Sequence, residues 1–554
     1  MRTPTVRRHA RSVRAVMFGA VLVAATTGGL LASTGVGASS GPVLTKSGPA
    51  DEGPYPYKYP ASGAITPGTG TTISGAACKA GVGQFDSPYA VPCIPKFTGN
   101  NGGATSNGVT AKTITLVDRV FPTTGNIQQI EAEAKAAGAA IPEVTMQVAE
   151  TFIKYFNKVY ELYGRQVVIK TLNSSANSTE EALGQGQAGA CADADTIANS
   201  MHAFGEAGLV GGGTGPFSQC AADDQLVEFN GDAYYDEGTF QSLNPYVWST
   251  TQDCTRVSSS EAEVMGTLLA GKKAIYAGDP ALRTETRKFG SYTPNVGAYI
   301  KCGTNFANII ENKYHVPASA INTHFYYNLD IATFQQSAQE AIVQFKAAGV
   351  TTVVIASDPY SAGLLTQAAA QQDYYPEWFI IGTGGTDIDG AVQAYDNPAE
   401  VTGHLFGMSE SSPVQDVYGD SGLAGKLYKK LTGHNIPMGT DGEYSSLVEI
   451  FDALQAAGPD LTPGNLARGL HALAPLGAPS YSYGTWDWNT GPNGTPGAGD
   501  HSAITSARFV YWDATKISPV NKKLGTYLQI FGGKRFTLGQ WPKSLPPLFV
   551  GGTS

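Results

Sequence analysis

Residues 334–387 read FQQSAQEAIVQFKAAGVTTVVIASDPYSAGLLTQAAAQQDYYPEWFIIGTGGTD. Phe334, Ala338, Ala341, Ile342 and Phe345 recur at three- and four-residue spacing, which gives a helix one apolar face. Gly349 follows, where a left-handed residue can end the helix. Val350–Ala356 is rich in β-branched residues, the pattern of a strand covered on both faces. Asp358 and Pro359 then offer an N-cap and a first-turn proline, with Ser361 as an alternative start. A second helix and a second buried strand, Trp378–Gly382, complete a β-α-β unit. Its strands are parallel, and open α/β sheets bind ligands in the loops at the carboxyl edge of such strands. Ser357–Tyr360 and Thr383–Asp387 are therefore predicted to lie side by side at that edge.

The same alternation extends outward. Strands are predicted at Thr113–Asp118, Gln166–Leu172, Ala207–Val210, Gln225–Phe229, Tyr246–Ser249, Ala274–Ala277 and His324–Tyr327. A long helix opens at Pro142, carries Val148, Phe152, Phe156, Val159 and Leu162 on one face, and stops at Gly164. Strands alternating with helices give parallel sheets with helices on both faces. There are too many strands for one sheet, so the predicted fold class is α/β with two doubly wound lobes.

The first 38 residues read as a secretory leader. Arg2, Arg7, Arg8, Arg11 and Arg14 precede an apolar stretch from Ala15 to Leu31, and Val36-Gly37-Ala38 supplies small residues for cleavage after Ala38. The rival is a retained anchor, whose core contains Gly and Thr and sits at the short end of the ~17–25 residues that a span needs. No Cys near the cleavage point offers a lipid attachment site, and no second segment is long and apolar enough to span a membrane. Cleavage removes those five Arg from the chain's 36 basic residues and none of its 46 acidic ones. A surface so acidic argues against nucleic acid and anionic membranes as partners. At 554 residues the chain exceeds one compact core.

Six Cys at even count in an exported chain read as disulfides. Sequential pairing, Cys78–Cys93, Cys191–Cys220 and Cys254–Cys302, closes a local loop each time. None shows C-x-x-C spacing, and the eight His form no H-E-x-x-H or close pair, so no metal site and no cofactor are expected. Residues 39–107, rich in Gly, Pro, Ser and Thr, read as a mobile N-terminal arm tied down by the first bridge. Catalytic patterns fail their context. Ser421, in Gly419-Asp420-Ser421-Gly422, precedes a helical run and reads as a cap. Gly184, Gly186 and Gly189 fit G-x-G-x-x-G without a strand before them.

The order of GVTAKTITLVD, the VGGGTGPFS turn, KKAIYAGDPALRTET, the 334–387 unit, GTWDWNTGPNG and ARFVYWD resembles the type I periplasmic binding proteins. The nearest branch is the branched-chain amino-acid receptors of ABC importers. The similarity covers about Gly108 to Asp513. It implies lobe 1 at 108–250 plus 412–483, lobe 2 at 251–411 plus 484–513, and a hinge of three crossovers, with 514–554 left as an extension. The implied function is a secreted monomeric receptor that closes on a small polar metabolite for delivery to an ABC permease. A sensor or scavenger without a transporter is the alternative, and a secreted hydrolase is a more distant one.

Carried over by position, the ligand-binding loops hold Thr123, Thr124 and Gly125; Thr214 and Ser218, where the family holds the ligand carboxylate with a hydroxyl; Asn230 and Asp232; Asp279 and Arg283, after the first lobe 2 strand; Ser357, Asp358 and Tyr360; and Thr383, Thr386 and Asp387. Helix N-termini there would suit a carboxylate. The sequence departs from the family in the Gly-rich turn 383–387, where amino-acid receptors carry an acid for the ligand ammonium. Asp387 or Asp358 could take that role; otherwise the ligand is not an α-amino acid. Every one of these residues also has a simpler reading as a cap or turn former.

Overall fold

A computed structural model describes residues 69–549, except 80–81, 123–141, 211–212, 232–233, 383, 411–421, 438, 478–483, 493 and 496. The expected leader, and Thr123, Thr124, Gly125, Asp232 and Thr383, lie outside the described residues. No helix of the described residues is long and apolar enough to cross a membrane.

The first lobe carries a parallel sheet of β1 (Thr113–Val120), β2 (Gln166–Asn173), β3 (Gly205–Glu206) and β4 (Val227–Glu228), in the order β2-β1-β3-β4. Helix α1 (Pro142–Val159) buries Val148, Phe152 and Phe156 against it, as its spacing requires. Helices α2 (Gln187–Asp195) and α3 (Gly215–Asp223) cover the other face, and the short α4 (Glu237–Leu243) follows β4 in the chain. The Cys191–Cys220 disulfide joins them. The ladder begins at Gly205, upstream of the strand predicted at Ala207, because the amides of Leu209 and Val210 turn to the Asp118 carboxylate instead.

The second lobe is built on seven strands in the order β11-β10-β9-β8-β7-β5-β6. These are β5 (Phe289–Pro294), β6 (Thr323–Tyr327), β7 (Thr352–Ile355), β8 (Glu377–Ile380), β9 (Leu405–Ser409), β10 (Arg508–Ile517) and β11 (Leu524–Gln529). The first five are mutually parallel, and β10 and β11 run antiparallel. The unit at 334–387 forms as predicted: α7 (Ile331–Ala347) and α8 (Pro359–Gln371) flank β7, and every residue of β7 and β8 is buried. The Asp358 carboxylate caps α8 by accepting from the Ser361 amide, and Gly349 adopts φ 67°. Two helices, α5 (Cys254–Val264) and α6 (Gly297–Tyr314), lie across the opposite face and share the Cys254–Cys302 disulfide. The Cys78–Cys93 bridge forms as well.

Four expectations need correction. Ala274–Ala277 is a turn rather than the first lobe 2 strand; Ala274 and Ala277 are buried, but Ile275 points to solvent. That strand is β5, whose Gly, Ser and Pro hide it in the sequence. The described part of the N-terminal arm is packed, with Tyr89 and Val91 in the lobe 1 core, the Val91 amide on Asp452 and the Gln84 side chain on the Val159 carbonyl. Trp486, Trp488, Ala503 and Ile504 also pack in the lobe 1 core, so the chain crosses to lobe 2 after them rather than at residue 484. Finally, the expected C-terminal extension supplies β11, and Phe536, Trp541 and Leu548 cover the α5–α6 face of the lobe 2 sheet.

Candidate functional site

At the carboxyl edge of lobe 1, the described side chains expected to hold a ligand make hydrogen bonds within the protein. Arg119, at the end of β1, is 1 % exposed. Its guanidinium donates to Glu181 at 2.8 Å and Asp193 at 2.9 Å and lies over the Phe217 ring at 3.9 Å. Thr214 caps α3, accepting from the Phe217 amide at 3.4 Å, and its hydroxyl donates to Glu181 at 2.6 Å. The Ser218 hydroxyl donates to the Thr214 carbonyl, and Asn230, at φ 66°, donates to the Gly208 carbonyl.

Near the loop that follows β3, Asp118, Glu206, Glu228 and Glu443 are all buried. Burial raises Asp118 to about 6 against the pull of the Leu209 and Val210 amides, and burial reinforced by neighbouring acids raises Glu206 and Glu443 well above the usual carboxylate range. The raised carboxyls hold their protons to higher pH than free acids do, so this edge carries less negative charge than its residue types suggest.

The lobe 2 edge is similarly self-engaged. Asp358 accepts from the Tyr327 hydroxyl at 2.8 Å besides capping α8. The buried Ser357 hydroxyl turns to the Asp358 carbonyl. Tyr360 packs between Phe334 and Tyr395. The Thr386 carbonyl accepts from the Tyr527 hydroxyl, and the Asp387 carboxylate accepts from the Ser409 hydroxyl at 2.5 Å. The loops after β7 and β8 do meet: a Cβ built on Gly384, at φ 69°, would stand 3.0 Å from the Ser357 carbonyl and 3.0 Å from the Tyr234 hydroxyl of lobe 1.

Asp279 and Arg283 do not join these loops. The Asp279 amide donates to the carbonyl of Tyr375, just before β8, and Arg283 folds back on the Ala277 and Gly278 carbonyls. They sit at the amino edge, because the segment before them is a turn and not the strand that would have carried them across the sheet.

The hinge is visible where the crossovers meet. Ser249 bridges Ser502 in parallel, and the Ala503 amide donates to the Ser249 carbonyl. The Gln252 amide donates to the Glu410 carboxylate at 3.1 Å. Beside them Glu237, Asp253 and Asp500 place carboxylate oxygens within 4.8 Å of one another, the geometry in which a metal ion could be held. Arg256 bonds Asp500 and lies 3.8 Å from Asp253, so a guanidinium supplies the positive charge among them. Burial raises each of the three acids to about 7.

Next to this hinge lies a cavity that the sequence reading missed. It opens between the β5–β6–β7–β8 face and helices α5 and α6, with an empty volume of about 780 Å³ including its mouth. Val257, Met265, Phe289, Phe306, Val354 and Ile381 give it an apolar wall. At the mouth Tyr234 of lobe 1 stacks on Tyr299 of α6, ring centroids 3.6 Å apart. An ion pair between Lys301 and Asp236, 2.8 Å, lies on the surface alongside. Deeper in, Ser291 Oγ and His324 Nδ1 share a hydrogen bond of 2.7 Å, and burial holds the imidazole below its ordinary value. Glu261 of α5 also lines the cavity, 8 % exposed. The signal was present: Cys254, Val257, Ser258, Glu261 and Met265 share one helical face, and an acid interrupts that otherwise buried stripe.

No protein-family model and no curated protein matches the chain. Solved structures do. A leucine-, isoleucine-, valine-, threonine- and alanine-binding protein from Brucella ovis, in a closed conformation, aligns over 79 % of this chain and 98 % of its own at 13 % identity and a TM-score of 0.51. A fatty acid ABC transporter substrate-binding protein from Thermomonospora curvata aligns over 79 % and 96 % at 14 % identity and 0.51. A solute-binding protein of an ABC transporter from Rhodopseudomonas palustris HaA2, in complex with p-hydroxybenzoic acid, aligns over 78 % and 98 % at 11 % identity and 0.50. At such identities the likeness is one of fold. Two α/β lobes joined by repeated crossovers, spanning nearly the full length of each neighbour, give this chain the type I periplasmic-binding-protein fold.

Proposed function

We propose that the protein is a solute-binding protein whose lobes close on a small molecule and pass it to a membrane importer of the ABC type. The observation that carries this reading is the lobe 2 cavity beside the hinge, which Tyr234 of lobe 1 lines together with Tyr299 of lobe 2. Access to such a pocket changes when the hinge moves. A ligand that touches both rings gains contacts in the closed arrangement that it lacks in the open one, and so drives closure. The names of the fold neighbours, which describe amino-acid, fatty-acid and p-hydroxybenzoic-acid binding, are in keeping with a solute of this size.

For this chain the solute is an apolar-bodied molecule rather than a free α-amino acid. The Thr214 hydroxyl and the Asp387 carboxylate, the groups expected to hold its two charges, are engaged by Glu181 and Ser409. The same engagement of cleft hydroxyls and acids favours binding over catalysis. Export, with the leader removed near Ala38, belongs to the same proposal, since an importer of this kind draws solutes from outside the cell.

The test is thermal unfolding with a library of small apolar acids, amides, amines and alcohols, followed by small-angle scattering of each hit. A ligand present at one hundred times its Kd should add about 2.7 kcal/mol of stability. It should also shrink the radius of gyration, and Tyr234→Ala should weaken it at least tenfold. A hit whose affinity survives both Tyr234→Ala and Tyr299→Ala, with no compaction, would sink the proposal.

A further inference from the structure

The lobe 2 cavity holds one carboxyl, that of Glu261, and no lysine or arginine among its lining residues. Glu261 is more than nine-tenths buried, and its side chain accepts no hydrogen bond and meets no cation among the described residues. An acid so placed is costly, and Glu377, buried elsewhere in lobe 2, is paired with Arg287 at 2.7 Å where Glu261 has no such cation. We propose that this cavity binds an organic cation, a primary amine carried on an apolar body, with Glu261 as its counter-ion. The proposal deepens the solute-receptor reading and rests on it.

The surroundings fit a cation better than an anion. Helix α5 turns Ser258 and Glu261 toward the space, and the titratable groups that face it from other elements are His324 and Tyr326 of β6, Tyr299 of α6 and Tyr234 of lobe 1. All four can be neutral. The His324 imidazole is kept so by burial, and it therefore does not repel an ammonium. Tyr234 and Tyr299, stacked on one another at 3.6 Å, line the cavity without adding a cation. The apolar wall of Val257, Met265, Phe289, Phe306, Val354 and Ile381 takes the body of the ligand.

Without a ligand, burial raises Glu261 to about 8, so near neutrality the group carries a proton and no charge. Capture of an ammonium then balances as follows: the carboxyl O–H breaks, the proton leaves to solvent, and the carboxylate accepts from the ligand N–H groups. Amine binding should therefore release a proton at pH 7. Affinity should rise with pH up to about 8, level off once free Glu261 is already ionised, and fall when the amine itself loses its charge.

The experiment is titration calorimetry on the leader-free chain with hexylamine and 2-phenylethylamine against hexanoate and hexanol, in two pH 7 buffers of different ionisation enthalpy. The expected result is amine binding with net release approaching one proton, and hexanoate bound at least tenfold more weakly. Glu261→Gln, close to isosteric with the protonated acid, should lose at least tenfold in amine affinity, lose the proton release, and keep its affinity for hexanol. The wild-type proton count stands without any variant, so a poorly folding substitution does not decide the matter. Amine binding with no proton release, or hexanoate bound as tightly as hexylamine, would overturn the assignment. Glu261-dependent amine binding with no lobe closure would leave the site standing and remove the clamp. Closure around another solute, indifferent to Glu261→Gln, would do the reverse.

Discussion

Replacing Thr214 with alanine separates the role its position in the chain suggests from the role its contacts assign. By position it is a ligand hydroxyl. By contact it is the α3 cap and a donor to Glu181 at 2.6 Å, beneath an 8 % exposed surface. Loss of the cap costs about 1 kcal/mol. Loss of a hydrogen bond to a charged group costs a further ~1.5–3 kcal/mol, reduced here because Arg119 still donates to both Glu181 oxygens. The sum is about 2–3 kcal/mol, or roughly 4–12 °C in the unfolding of lobe 1. Thr214→Ser, which keeps both the acceptor and the donor, should recover most of it. Differential scanning calorimetry reads the stability of both variants, and calorimetric titration reads their affinity for whichever solute the library yields. The contact-based reasoning predicts a stability loss with affinity within about twofold. A tenfold or greater loss of affinity in Thr214→Ala with an unmoved transition would refute it and return Thr214 to the ligand.

Glu449 in the lobe 1 core is buried, and burial raises it to about 8. Because the folded state holds that proton more tightly than the unfolded one, stability falls as pH climbs from about 4.5 to about 8, by up to ~1.4 kcal/mol per unit for one group. Glu449→Gln should therefore be more stable than the parent at pH 8.5 in urea melts and show a shallower pH slope; an unchanged slope would count against a neutral buried acid. The Cys254–Cys302 bridge joins α5 to α6 along the cavity wall. Its paired replacement by alanine should cost about 2–4 kcal/mol, read as a lower lobe 2 transition, and an undisturbed transition would argue against it.

The 334–387 unit was legible because everything that makes it is local: an apolar period, a capping Asp, a glycine stop and two runs buried on both faces. Strand β5 was not. Its Phe289 and Tyr292 point to opposite cores, but Gly290, Ser291 and Pro294 are tolerated only because α6, α7 and the neighbouring strands supply what they lack. One missed strand then displaced two candidate residues, Asp279 and Arg283, to the wrong end of the sheet. Composition misled at the arm, where Tyr89 and Val91 outweigh the surrounding glycines once a groove exists to receive them.

The candidate site was harder for a related reason. A sequence reveals that Thr214, Asp358 and Asp387 are polar, but not which protein group will claim them first. The cavity is space between elements, and no residue encodes it alone. Glu261 was nonetheless visible in outline as the one acid on a stripe that otherwise reads Cys, Val, Ser and Met.

The two ends of the described chain belong to different bodies. Residues around Tyr89 are built into lobe 1, while β11 and the segment through Leu548 are built into lobe 2. Anything attached ahead of the one end and behind the other is therefore carried on opposite arms of the hinge. If the lobes close as proposed, a donor and acceptor fluorophore fused at the two termini would report it as a change in energy transfer, with no insertion into either core. If the leader end were held at a surface, lobe 1 would be the stationary platform and lobe 2 the part that swings.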